Sequence, residues 1–289
     1  ALPICLPCFE ISSIAPWGWS LDACRQFRQA GVREDLIEPY ENNVDDFRNY
    51  SHRRNTIKLI GLLAEKGFDV PDVSSIEATD IDQVRNFVTD YGAAYIKAPW
   101  SSTGRGVFPV SRESFQASAE RINGIIRRQG SVMVEPALDK VRDFAMLFHD
   151  GGRRFAGFSL FFNATTTSYG GNFVASDEAI LSDLSGYISP SYAISLAVCL
   201  TELLPSLFQL YHGPVGVDML VYRSTDGDYR IDPYLRYTMG FVARSVYAKA
   251  GRRGIMTVSP ASSSDHQGTS TLHLAPAGAP FNFLFKATD

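Results

Sequence analysis

The sequence has no long apolar run, no concentrated basic tract and no leader-like start. Its longest apolar stretches, residues 155–162 and 193–200, are far shorter than the roughly 18 residues that cross a bilayer, so we expect no transmembrane helix. The 27 lysines and arginines are scattered among 31 acidic residues, which gives a net charge of −4 and argues against nucleic-acid or membrane-surface binding. The first residues lack the basic and then apolar layout of a signal peptide, although a start at Ala1 leaves earlier residues open. A cytoplasmic location is expected.

Cysteine is scarce: the chain has four, and only Cys5 and Cys8 are closely spaced. A C-x-x-C pair occurs in redox and zinc sites, but zinc needs about four ligands, and no second pair or histidine follows at metal-like spacing. Buried free thiols in a reducing compartment are therefore the favoured interpretation.

Several catalytic motifs are also missing. The chain contains no G-x-x-x-x-G-K-[ST] phosphate loop, no G-x-S-x-G nucleophile turn and no H-E-x-x-H pair among its five histidines. These absences argue against P-loop and common hydrolase classes. The 45% apolar and 20% charged composition over 289 residues is that of a globular protein with a substantial core.

Apolar periodicity predicts a mainly helical amino-terminal region followed by a mixed lobe. Ser20 can cap a helix that Gly31 ends, and a second helical stretch runs over residues 44–65 with a break near Ser51. The mixed lobe is predicted to contain helices at 81–91 and 114–130 and strands at 94–97, 107–110 and 131–136.

Later residues predict two antiparallel strand pairs around a long helix. The first pair turns at 150–152, and the second pair turns at 224–227. The helix is predicted to run from Pro190 through Tyr211, with a kink or a break at Pro205. The last elements are a Ser-rich loop at 259–271 and strands at 271–274 and 281–285.

A small-residue loop between two predicted strands is the first candidate for a binding site. Lys97 ends an apolar strand and precedes a run of small or flexible residues, Ser101, Ser102, Thr103, Gly104, Arg105 and Gly106. Backbone N–H groups in such a loop can approach anionic oxygens, and the Lys97 ammonium can balance their charge. The segment suggests a site for a triphosphate nucleotide, with an ordinary hairpin turn as the alternative.

Two aspartates in the second strand pair form another candidate site. A hairpin centred on Asp226 and Gly227 brings Asp218 and Asp232 close together, on one face if the register is right. Facing carboxylates repel each other unless a cation lies between them, which favours Mg²⁺. The alternative is that each carboxylate is solvated or paired with an arginine.

Taken in order, these motifs resemble those of the ATP-grasp superfamily. The resemblance rests on the strand lysine with its glycine loop, on the strand 132–135 that ends in Glu135, and on the two late strands with Asp218 and Asp232. It covers about residues 79–244. It implies an α+β ATP-grasp fold in which two α+β lobes grip a nucleotide cleft, and we expect lobes at 79–136 and 137–289 after an amino-terminal region at 1–78.

The resemblance also implies roles for single residues. Lys97 and the loop 101–106 would contact the phosphates of ATP, Lys140 would face them, and Glu135 would border the adenine or ribose. Asp218 and Asp232 would bind Mg²⁺, and Arg236 would be aimed at a phosphate or a substrate carboxylate. The implied activity is a ligase that joins a small-molecule or peptide carboxylate to an amine or thiol through an acylphosphate.

The metal-site strand departs from the family's usual pattern. That pattern is Glu-x-Asn, whereas this chain has Asp232, Pro233 and Tyr234. A neutral phenol is a poor Mg²⁺ ligand compared with a carboxylate or an amide. A nucleotide-binding protein that has lost catalysis is thus a second hypothesis, and an unrelated α/β protein is a third.

Three basic residues in the amino-terminal region could bind an acidic substrate across the cleft. They are His52, Arg53 and Arg54. A solvated helix face is the favoured interpretation of this run.

Overall fold

The computed structural model describes residues 11–14, 16, 18–101, 106–164, 169–236, 238–260, 271–275, 279 and 281–288. For residues 234, 236 and 260 the description is confined to the backbone. Within these residues the α-helices are α1 Leu21–Gln29, α2 Glu34–Glu41, α3 Val44–Tyr50, α4 Arg54–Glu65, α5 Ile81–Tyr91, α6 Phe115–Gln129, α7 Asp177–Leu184, α8 Pro190–Leu207 and α9 Gly240–Ala250. The strands are β1 Ile76–Ala78, β2 Ala93–Lys97, β3 Val107–Ser111, β4 Val132–Pro136, β5 Asp139–His149, β6 Arg154–Asn163, β7 Tyr169–Val174, β8 Val215–Arg223, β9 Tyr229–Arg236, β10 Gly254–Pro260, β11 Thr271–His273 and β12 Phe281–Ala287.

The amino-terminal region is helical, as predicted. The Ser20 side chain accepts a hydrogen bond from the backbone N–H of Ala23 and so caps α1. The predicted break near Ser51 separates α3 from α4. Helix α2 was not predicted, because Pro39 lies inside it and its eight residues present only a short apolar face.

The small lobe is built on a four-stranded sheet in the order β1-β4-β2-β3. Strands β2 and β3 pair antiparallel from Ala93 opposite Ser111 to Lys97 opposite Val107, which confirms the hairpin around the glycine loop. Helices α5 and α6 contribute apolar side chains to the same core as the sheet. Strand β1 places residues 76–78 in this sheet; three residues are too few to show a periodicity in the sequence.

The large lobe contains an antiparallel eight-stranded sheet in the order β11-β12-β10-β7-β6-β5-β8-β9. Side chains on β5 alternate between its two faces, and Phe144, Met146 and Phe148 enter the main core with residues of α4, α7 and α8. Ala145 and Leu147 point to the opposite face, where Phe241 of α9 packs on them. This second face, which we call the cleft face, also carries Asp218 because Asp218 pairs with Ala145.

Helix α8 has enough length and apolar content to meet the usual criteria for a membrane-spanning helix, with a mean hydropathy of 1.3. In this fold it lies against the main sheet, and Leu196, Leu200 and Leu204 are fully buried there. Pro205 lies in its last turn, and the helix ends at Leu207 rather than at Tyr211 as the periodicity suggested.

The turn between β5 and β6 has an unusual backbone. Asp150 and Gly151 both have positive φ, of 54° and 59°. A Cβ on Gly151 would lie 1.9 Å from the carbonyl oxygen of Tyr211, so only glycine fits there. The Gly151 N–H donates to the carbonyl of Gly213, which ties the turn to the loop before β8.

The α+β class predicted from the sequence is confirmed. The strand pairs predicted to turn at 150–152 and 224–227 are present, as are the late strands. Strand β10 occupies part of the segment predicted to be a Ser-rich loop, and residues 261–270 lie outside the described part of the chain. The lobe boundaries at residues 78 and 136 stay a prediction.

Candidate nucleotide site

The centre of the candidate site is an ion pair between Lys97 and Glu135. Lys97 ends β2, and Glu135 lies on the neighbouring strand β4 opposite Tyr95. Two positions apart along one antiparallel pair, the two side chains are diagonal neighbours on the same face of the sheet. The structure thus brings two residues predicted from separate motifs into direct contact.

This ion pair is nearly removed from water. The side chains of Lys97 and Glu135 keep only 13% and 6% of their exposure. Burial lowers the pKa of Lys97, and the Glu135 carboxylate opposes that shift. The pKa of Lys97 is also lowered by the Arg53 guanidinium and raised by the Asp232 carboxylate, so both charges lie within electrostatic range of the Lys97 ammonium.

Arg53 reaches the site from the start of α4. Its guanidinium donates to the carbonyl oxygen of Ser101 at 3.2 Å and to the Ser101 hydroxyl at 3.3 Å. Its backbone N–H donates to the carbonyl of Pro99. Arg53 therefore fixes the first residues of the glycine loop and adds a second cation beside Lys97.

The other two basic-run residues behave differently from each other. His52 is 2% exposed, and its ring lies edge-on to Trp100 at 4.5 Å. Arg54 is exposed and donates to the Glu77 carboxylate at 2.9 Å. A solvated face is thus the wrong interpretation of His52 and Arg53, and it fits only Arg54.

Asp218 and Asp232 lie on adjacent strands of the large lobe. In the β8–β9 pair, Asp218 is opposite Tyr234 and Asp232 is opposite Leu220. The two aspartates are therefore diagonal neighbours on the cleft face, as the hairpin centred on Asp226 predicted. Both are buried, at 3% and 1% exposure, so each of these carboxylates depends on neighbouring charge or hydrogen bonds.

A third carboxylate on this face was not predicted. Asp143 lies opposite Leu220 on the other side of β8, and it accepts hydrogen bonds from Lys140 at 2.7 Å and from Asn163 at 3.0 Å. Lys140 was expected to face phosphates; in this structure its ammonium is paired with Asp143. Among the described residues, no three His, Cys, Asp or Glu side chains form a ready cluster for a metal ion.

The glycine loop is described only at its two ends. The N–H of Ala98 donates to the carbonyl of Gly106 at 2.9 Å and closes the base of the loop, and Gly106 has a φ of 75° that favours glycine. Ser102, Thr103, Gly104 and Arg105 lie outside the described residues, as does the side chain of Arg236. Their predicted roles stay predictions.

Comparisons with known proteins identify the fold. No family model and no curated protein matches the sequence. Solved structures do match. One is the biotin carboxylase domain of 2-oxoglutarate carboxylase from Hydrogenobacter thermophilus, in complex with MgADP, ADP and bicarbonate. Its TM-score is 0.55 at 11% identity over 92% of this chain and 67% of that one. The chain has the ATP-grasp fold.

Two more enzymes with the ATP-grasp fold give similar agreement. An N5-carboxyaminoimidazole ribonucleotide synthetase in complex with ADP matches with a TM-score of 0.52 at 9% identity, over 93% of this chain and 74% of that one. The Staphylococcus aureus enzyme, also with ADP, matches with a TM-score of 0.52 at 12% identity, over 85% and 70%. At such identities the comparison shows the fold alone.

In this structure the Asp232 carboxylate of the large lobe and the Arg53 guanidinium both lie within electrostatic range of the Lys97 ammonium. Sequence reasoning considered Arg53 only as a contact for an acidic substrate, favouring a solvated helix face, and it missed Asp143. A signal for Arg53 was present, since it belongs to a basic run at a helix start, but its partner Ser101 is 48 residues away. Asp143 and Ala145 are two residues apart on β5 and therefore lie on the same face of the strand. That spacing points to a site only once the face that carries Asp218 is known.

Proposed function

We propose that this protein is an ATP- and Mg²⁺-dependent ligase that joins a carboxylate to an amine or thiol through an acylphosphate. The observation that carries the proposal is the buried Lys97–Glu135 ion pair beside the base of the glycine loop, where the Arg53 guanidinium donates to Ser101. The Asp232 carboxylate of the large lobe lies within electrostatic range of the same ammonium. Such a set of cations facing acidic strands suits a polyphosphate with its metal ion. The fold supports the proposal, because the matched enzymes bind ADP.

The residues present fit both groups. Buried carboxylate oxygens on one face, Asp218 and Asp232, are the donors that Mg²⁺ prefers, with phosphates and water completing its shell. Lys97 and Arg53 supply positive charge at the base of a loop rich in backbone donors. ATP and Mg²⁺, once bound, supply the transferable phosphoryl group and neutralise its charge.

The chain's own residues would position and shield the reaction. Lys97, held by Glu135, would balance phosphate charge, and Arg53 would keep the loop base at the right distance by its bonds to Ser101. Asp218 and Asp232 would orient the metal ion. A substrate carboxylate oxygen would attack the γ-phosphorus of ATP and release ADP. The amine or thiol would then attack the acyl carbon, release phosphate and give up its proton to the released phosphate or to water. No side-chain nucleophile is required.

A second candidate function is a nucleotide-binding module without catalysis. The observation in its favour is that the residue opposite Asp218 on β9 is Tyr234, at the place where the family pattern has an asparagine. Nucleotide binding is common to both functions, and release of ADP belongs to the ligase alone.

Nucleotide binding is tested by thermal or urea unfolding with ATP and Mg²⁺. Ligand that binds the native state alone must stabilise it, by about 2.7 kcal/mol at a hundred times its Kd. We expect the free energy of unfolding to increase with the concentration of MgATP, and to increase less with ATP in EDTA. An unfolding curve unmoved by millimolar MgATP would remove both nucleotide functions.

Arg53 gives a prediction that sequence motifs alone did not provide. Arg53→Gln is expected to weaken MgATP binding about tenfold, because it removes a cation beside Lys97 and the two bonds to Ser101. Isothermal titration calorimetry measures the change. Lys58→Gln, an exposed cation on the same helix, is the matched control and should bind like the unaltered protein. Equal affinities for the two variants would place Arg53 outside the site.

A further inference from the structure

A cavity of about 380 Å³ lies at the end of the cleft face, between the amino-terminal region and the large lobe. Its apolar wall includes Trp19 and Tyr40, whose rings stack at 3.8 Å with an interplanar angle of 4°. The opposite wall comes from the β5–β6 turn and the loop before β8, with His149, Asp150, Arg154 and His212. None of these residues belongs to the nucleotide site described above.

Among the described residues of the charged wall, Arg154 is the cation that no carboxylate engages. Asp150 is engaged by the His212 ring, with 2.5 Å between Oδ1 and Nδ1, and this contact lowers the pKa of Asp150. Burial and the charge of Arg154 lower the pKa of His149, which disfavours the charged form of its ring. Arg154 is exposed, and no carboxylate among the described residues lies within ion-pair distance of it. The cavity therefore combines a flat apolar wall with a guanidinium that can bind an anionic group.

The position of the cavity connects it with the candidate nucleotide site. His149 is four residues beyond Ala145 on β5, and Ala145 is paired with Asp218. At ~3.3 Å per residue, His149 therefore lies about 13 Å along the strand from the Ala145–Asp218 pair. Both positions lie on the cleft face, because side chains four apart on a strand point the same way. The His149 ring also lies 5.4 Å from Phe241, which packs on that face.

We propose that this cavity holds the carboxylate-bearing, apolar end of an elongated substrate of about dipeptide size. The terminal carboxylate binds the Arg154 guanidinium, the apolar side chain lies against the Trp19 and Tyr40 wall, and the other end extends along the cleft face toward Asp218. The anchored carboxylate is not the reacting group, since it is too far from Asp218. This inference rests on the proposed ligase function for what the reacting end does, but binding in the cavity needs no nucleotide.

The test uses three probes by titration calorimetry without nucleotide: glycyl-phenylalanine, its C-terminal amide, and glycyl-glycine. We expect the acid to bind at least about tenfold tighter than the amide, because the amide cannot form the charge-assisted bidentate pair with Arg154. Glycyl-glycine, which lacks the ring, should bind more weakly than both. If the unaltered protein binds the acid and the amide with equal affinity, the inference is overturned, and no result from a variant changes that.

Variants locate the contact. Arg154→Gln should reduce the affinity for the acid to that for the amide, while Arg127→Gln, an exposed arginine on α6, should change neither. Glycyl-4-azidophenylalanine should photolabel Trp19 or Tyr40, and exclusive labelling elsewhere would overturn the site. MgATP binding without acid-selective dipeptide binding overturns the cavity inference and leaves the ligase proposal standing. Dipeptide binding with no MgATP binding supports the cavity and removes the ligase.

Discussion

Lys97→Met is expected to lower the free energy of unfolding by about 3–5 kcal/mol, because it leaves the Glu135 carboxylate buried without its ion-pair cation. The double variant Lys97→Met with Glu135→Gln removes the stranded charge and should recover at least half of that loss. Urea unfolding of both variants measures the difference.

A less deeply buried ion pair, Lys140 with Asp143, provides the control. Lys140→Met breaks a 2.7 Å contact with Asp143, but the Lys140 side chain keeps about a third of its exposure, so the expected loss is under about 1 kcal/mol. A double variant as unstable as Lys97→Met alone would contradict the buried-pair argument, since the cost would then come from lost packing of the lysine stem.

Asp218→Asn is expected to have opposite effects on function and on stability. The amide keeps the shape of the side chain but removes one of two buried negative charges on neighbouring strands. Because a metal site loses several kcal/mol of charge stabilisation when a carboxylate ligand is neutralised, ADP release should fall about a hundredfold or more. Stability without Mg²⁺ should be unchanged or slightly higher, since repulsion with Asp232 is relieved.

Two assays separate these effects: a coupled measurement of ADP release and urea unfolding in EDTA. The matched control is Asp228→Asn, an exposed aspartate in the turn of the same hairpin, which should leave both unchanged. ADP release that is equally fast in the unaltered protein and in Asp218→Asn would remove Asp218 from the metal site.

The parts of the fold that could be predicted from the sequence are those determined by residues close together in the chain. The β8–β9 hairpin was predictable because Asp226 and Gly227 favour a tight turn and apolar residues alternate on both sides of it. The β2–β3 hairpin and the cap of α1 at Ser20 have equally local causes. Once the centre of a hairpin is known, its register follows, and with it the shared face of Asp218 and Asp232.

The remaining features depend on contacts between distant residues. Strands β1 and β10 gain their pairing from β4 and from β7 and β12, so neither short segment shows its structure alone. Arg53 lies beside Lys97 because α4 begins next to Ser101 at the base of the glycine loop, 48 residues further along the chain. The contact of Asp150 with His212 spans 62 residues and depends on a turn that glycine alone permits.

Two residues at the start of helix α4 contact the two lobes: Arg53, which immediately precedes its first residue, and Thr56 in its first turn. Arg53 at its start bonds Ser101 of the small lobe, and the Thr56 hydroxyl accepts a hydrogen bond from the backbone N–H of Leu235 on β9. Lys97 and Asp232 are therefore held in register by one rigid segment before any ligand arrives. Much of the entropy that would be lost in assembling two separate half-sites is lost when the chain folds, and ligand binding does not have to overcome it again.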